Sequence, residues 1–160
     1  MEQQSVGKKL GRRVQRGTLD TGVIEGVGTF IYCTTTRRYL FILRDTKKYA
    51  GTWGLAGGGI EPGEQLLSSL HRELEEELGY DFSSTKVIPI EKFTSSNGRF
   101  TYHTFLIPID EEFAPYLNHE HRGFCWVSLE DHPKPLHPGV WRTISFDTIV
   151  NKLKTLEELL

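Results

Sequence analysis

The chain has two cysteines, no long apolar run and a net charge of −2, and each scarcity closes off a class of protein. Cys33 and Cys125 lie in apolar stretches and make a poor disulfide framework, which points to two reduced thiols in a cytoplasmic protein. No apolar run approaches the roughly 18–20 residues that span a bilayer. Leu40-Phe41-Ile42-Leu43 is typical of the longest, which leaves the membrane out as a partner. Met1 to Lys9 has no apolar stretch behind its charges and does not read as a secretory leader. The 19 basic and 21 acidic side chains nearly cancel, arguing against nucleic acid as a bulk electrostatic partner. Internal repeats and low-complexity tracts are also missing.

What is present is a soluble balance of 38% hydrophobic and 25% charged residues in 160, enough for one domain with a core. Residues 1–20 form a polar basic segment carrying Lys8, Lys9, Arg12, Arg13 and Arg16. It reads as a solvated tail or edge strand, with a nucleic-acid or partner-binding arm as the alternative. Residues 21–160 read as the domain. Strands are expected over Val23 to Cys33, Tyr39 to Leu43, Val87 to Phe93, Phe100 to Ile109 and Phe124 to Leu129. Helices are expected from about Gln65 to Leu78, stopped by Gly79, and from about Phe146 to Leu159. This order lacks strict strand–helix alternation, so an α/β fold with a mixed sheet between a few helices is the better fit.

Two crowded stretches stand out. Gly51, Gly54, Gly57, Gly58, Gly59 and Gly63 feed directly into Glu61, Glu64, Glu73, Glu75, Glu76 and Glu77. On a helical wheel Leu67, Leu70, Leu74 and Leu78 form a packing stripe, and Glu73, Glu76 and Glu77 share a neighbouring face. Like charges at this spacing, in the second half of a helix, destabilise it by a few tenths of a kcal/mol each. Hard divalent cations such as Mg²⁺ or Mn²⁺ take oxygen ligands and relieve that repulsion. A solvated acidic face is the competing account, though only Arg72 stands near enough to balance it. The glycine loop lets a backbone approach a ligand closely, and its amides suit phosphate oxygens.

Gly58 through Tyr80 resembles the Nudix box: Gly, five residues, Glu, seven residues, Arg-Glu, an aliphatic, any residue, Glu-Glu, any residue, Gly, an aliphatic. Gly58, Glu64, Arg72, Glu73, Leu74, Glu76, Glu77 and Gly79 stand at those spacings, and Tyr80 departs from the final aliphatic. Ala56 stands where many members have proline. The resemblance implies the Nudix α/β/α sandwich and a Mg²⁺-dependent hydrolase, with Mn²⁺ as the other cation. It implies cleavage of a nucleoside diphosphate linked to another group, a small-molecule nucleotide that leaves as a monophosphate. Nucleotide sugars, ADP-ribose, dinucleoside polyphosphates and nucleoside triphosphates are the substrate classes. A non-catalytic nucleotide-binding module and an RNA cap-processing enzyme are the alternatives, and a homodimer is compatible with the family.

In family terms Glu73, Glu76 and Glu77 look like metal-binding carboxylates, while Glu64 and Arg72 resemble the pair that braces the loop on the helix. Arg44, with Gly57 and Gly58, looks like a substrate-binding group. Many members use a further glutamate just before a later tryptophan-bearing strand. Glu120, ahead of Trp126, fills that place as an extra metal ligand or general base. Glu111 and Glu112 compete for it as loop acids. His119 and His121 read as bystanders, with proton transfer or leaving-group orientation as the alternative. Tyr49, Trp53, Phe93, Tyr102 and Trp141 are stacking candidates.

Overall fold

A computed structural model describes residues 23–160; the basic segment at 1–20 lies outside the described residues. The order is β1 (Ile24–Cys33), β2 (Arg38–Arg44), β3 (Trp53–Gly54), β4 (Ala56–Gly59), α1 (Leu66–Leu78), β5 (Ile88–Thr94), β6 (Phe100–Ile109), β7 (His121–Val127), α2 (Pro138–Ser145) and α3 (Asp147–Leu159). The sheet runs β3-β2-β1-β6-β5, with β4 pairing β1 and β7 pairing β2. It is mixed, as expected: β1 and β6 run parallel, with Ile24 opposite Phe100 and Cys33 opposite Ile109, and every other named pair is antiparallel.

Side chains alternate across a strand, so the buried strands feed two cores. Val27, Ile31, Cys33, Leu40, Ile42, Phe105 and Ile107 face α1, whose Leu70, Leu74 and Leu78 close the layer. Phe30, Tyr32, Tyr39, Phe41 and Leu106 face the other way, under Val140 of α2 and Ile149 and Leu153 of α3. Each fully buried leucine of α1 contributes about 1.5–3 kcal/mol over its exposed state. The result is the expected α/β/α sandwich. Cys33 and Cys125 pack on opposite faces as free thiols. Among the described residues no helix is long and apolar enough to cross a membrane.

Four local expectations change. Leu67, in the first turn of α1, is exposed, and Leu66 packs on the core in its place. The glycine run is not loop throughout: Ala56–Gly59 pairs with β1, Gly57 opposite Gly28 and Gly58 opposite Val27. The strand expected from Phe124 begins at His121. The helix expected over Phe146 to Leu159 stands as α3, and a further helix, α2, forms in the connection before it, with Phe146 in extended backbone between the two. Tyr80, the one departure from the box pattern, stacks on Phe113 at 4.7 Å, and Phe113 packs edge-on to Trp126.

Candidate active site

The glycines of β4 bring α1 close to the sheet. A Cβ on Gly58 would stand 2.4 Å from the Glu73 carboxylate, and one on Gly57 would stand 2.0 Å from the Val27 carbonyl oxygen. Only a bare backbone fits between β1 and the acidic face of the helix. The Gly57 N–H donates to Glu77 Oε1 at 2.6 Å. That amide therefore serves the helix carboxylate, and the glycine run works by permitting approach.

Arg72 braces the turn into the helix. Its Nε and Nη2 donate to the two Glu64 oxygens at 2.7 and 2.9 Å, and Nη2 also reaches the Gly59 carbonyl at 3.1 Å. Glu64 in turn accepts the Glu61 N–H at 3.0 Å. The bidentate arginine is the main reason the Glu64 carboxyl falls from 4.5 to about 2. Arg72 Nη1 is also 3.0 Å from Glu73 and 3.5 Å from Glu76. One guanidinium thus balances three carboxylates, which is how α1 carries its acidic face.

Glu77 is the exception: it is 2% exposed, and the group facing its Oε2 among the described residues is the His121 imidazole. Burial pushes its carboxyl well above the usual range, with Glu73 and Glu120 pushing the same way and the Gly57 N–H opposing. Burial also raises Glu73. The β2–β7 pairing sets Arg44 opposite His121 across a register shift, and the Asp45 N–H donates to the Glu120 carbonyl at 2.8 Å. This places Glu120 and His121 against the end of α1. Ligand atoms of Glu77, Glu120 and His121 all lie within 4.8 Å of one another. His121 is 6% exposed, and its Nδ1, 3.5 Å from Glu77 Oε2, has no hydrogen-bond partner. Burial, helped by nearby Arg44, lowers its pKa to about 4, so the ring is neutral at neutral pH. A buried carboxylate, a half-buried one and an orphaned imidazole nitrogen fit a divalent cation.

Beside this cluster lies a cavity of about 400 Å³ walled by Arg44, Gly57, Gly58, Phe93, Phe100, Tyr102, His137 and Arg142 among others. Arg44 Nη2 donates to Thr46 at 3.2 Å, and its buried Nε is unpartnered. Tyr102 fills the space above Gly28, where a Cβ would meet its hydroxyl at 2.2 Å. Arg142 lies 3.9 Å over the Phe93 ring and donates to Glu91 at 2.7 and 3.4 Å.

Of the sequence candidates, Glu77 and Glu120 come together, Glu73 joins their electrostatic neighbourhood, and Glu76 turns outward toward Arg72. Glu112 is held elsewhere by Arg38, at 2.5 and 2.7 Å. Phe93 and Tyr102 wall the cavity, whereas Tyr49, Trp53 and Trp141 do not. The sequence reading left His121 as a bystander or proton-transfer group, and it did not single out Phe100, His137 and Arg142. The signal for the last two was Pro138 after His137, a proline in the first turn of α2.

The family model described as the NUDIX domain matches residues 24–145. The nucleoside triphosphatase NudI of Escherichia coli O17:K52:H18 is 29% identical over 130 residues, covering 74% of this chain and 86% of the relative. A MutT NUDIX hydrolase from Burkholderia pseudomallei superposes with a TM-score of 0.63 at 26% identity, over 74% of this chain and 93% of its own. The NUDIX domain of Shewanella oneidensis NrtR, solved with ADP ribose, shares the fold with a TM-score of 0.67 at 16% identity, over 88% and 97%.

Proposed function

This chain belongs to the Nudix hydrolase family, and from that premise we propose that it is a Mg²⁺-dependent pyrophosphohydrolase acting on a nucleoside diphosphate that carries a further group. Nucleoside triphosphates are the first class to test, supported by the triphosphatase relative. The observation that carries the reading is the convergence of Glu77 and Glu120 beside a cavity walled by Arg44, Gly57 and Gly58.

Glu73, Glu77 and Glu120 would hold the cation, and Glu76 would join them by releasing Arg72. When bound, it supplies charge neutralisation on the phosphate oxygens and acidifies the attacking water. Arg44 carries guanidinium N–H donors along the cavity wall and positions the phosphates. Gly57 and Gly58 keep that wall flat, so the phosphate chain lies close to the backbone. Glu120 accepts the proton of the attacking water, with Glu73 as the second carboxylate in range. Phe93, Phe100 and Tyr102 offer aromatic faces to the base.

The test is a screen of nucleoside triphosphates, nucleoside diphosphate sugars, ADP-ribose and dinucleoside polyphosphates with Mg²⁺, identifying products. Release of a nucleoside monophosphate is expected, and Glu77→Gln or Glu76→Gln should remove most turnover with the fold retained. Wild-type rates in either variant would sink the assignment.

A further inference from the structure

We propose that His121 is a direct ligand of the cation, giving this site one nitrogen donor among its carboxylates and a preference for Mn²⁺ over Mg²⁺. The inference rests on the metal-dependent reading above and adds a ligand that the box motif does not contain.

Three observations converge on it. The side chain is enclosed, with 6% of the residue exposed, so its Nδ1 has no access to water. That nitrogen also lacks any hydrogen-bond partner, and an orphaned buried polar atom is costly unless something completes it. Its nearest acidic neighbour is Glu77 Oε2 at 3.5 Å, too long for a hydrogen bond but suited to two donors flanking one ion. Ligand atoms from Glu77, Glu120 and His121 all lie within 4.8 Å of one another, and the 3.5 Å between His121 Nδ1 and Glu77 Oε2 is a separation that one ion about 2 Å from each donor bridges.

The chain builds this arrangement deliberately. β7 starts at His121, and the register shift beside Arg44 turns the histidine inward toward the last turn of α1, where Glu77 stands. Glu120, one residue earlier, stays half-buried at the mouth of the same cluster. A neighbouring pair thus supplies one oxygen and one nitrogen. Imidazole binds first-row transition ions, Mn²⁺ the weakest among them, whereas Mg²⁺ takes oxygen almost exclusively, so the nitrogen moves selectivity away from Mg²⁺ and toward Mn²⁺.

The test uses the full chain loaded with Mn²⁺ and pulsed electron paramagnetic resonance. The wild type should show the nitrogen hyperfine coupling of a directly bound imidazole. His121→Gln should lose that coupling and bind Mn²⁺ about tenfold more weakly, with a smaller change for Mg²⁺; both affinities are measured by calorimetry. His119→Gln, altering the exposed neighbour, should retain the coupling. A wild-type spectrum without bound nitrogen overturns the proposal, whether or not the variants fold, and so does a coupling that survives in His121→Gln. If the spectrum shows oxygen ligands alone while Glu77→Gln still abolishes Mg²⁺-dependent hydrolysis, the ligand assignment falls and the pyrophosphohydrolase reading stands. If Mn²⁺ fails to bind and hydrolysis needs no cation, both fall.

Discussion

At the scale of single residues, Glu77 sets function against stability. Its carboxyl holds a proton more tightly in the fold than in the unfolded chain, because burial disfavours the charge. The cation-free protein therefore loses stability as pH rises from about 4.5 toward the elevated folded value. Glu77→Gln keeps an oxygen for the Gly57 N–H and sheds the charge. Without cation it should melt above the wild type at neutral pH, with the advantage vanishing near pH 4, in calorimetric scans across that range. The same variant should lose roughly 10²–10³-fold in turnover. Glu64 has the opposite sign. Its pKa is depressed to about 2 by Arg72, so its contribution is complete above 4.5 and fades as pH falls toward 2. Urea unfolding of wild type and Glu64→Gln should show a constant gap above pH 5 that closes through that window.

At the scale of elements, β4 and α2 carry the clearest consequences. Gly57→Ala drives a methyl into the Val27 carbonyl and should cost about 3 kcal/mol, lowering Tm by roughly 10 °C in thermal melts. Arg142→Ala removes the cation over Phe93 and strands Glu91. It should raise KM several-fold with kcat little changed, read from steady-state kinetics, because it alters the cavity wall and not the carboxylates. These elements also mark where the sequence was readable. The α1 stripe, its Gly79 stop and the spacing of Glu73, Glu76 and Glu77 follow from a period of 3.6, which is local information. β4 was hidden because glycine has no side chain to show alternation, and its pairing with β1 is a long-range event. α2 was hidden because its eight residues follow two prolines, begin on a third and hold only a short apolar pattern. The burial of His121 depends on a register shift between two strands far apart in the chain, which no local pattern encodes.

At the scale of the whole molecule, cation binding should be visible as stability. A ligand at about 100 times its dissociation constant adds about 2.7 kcal/mol, so Mg²⁺ should raise Tm by roughly 5–10 °C. A chelator should reverse the gain, and Glu77→Gln should show little of it, by differential scanning fluorimetry.

The parallel pairing of β1 with β6 has a kinetic consequence. Ile24 and Phe100 are separated along the chain by β2, β3, β4, α1 and β5, so the central seam of the sheet closes a long chain loop. Such non-local closure is slow beside helix formation. β7 docks on β2 from still further along the chain, and it brings Glu120 and His121 with it. In a stopped-flow refolding experiment, helical signal should therefore recover ahead of Mn²⁺ affinity, which makes metal capture a late reporter of the finished topology.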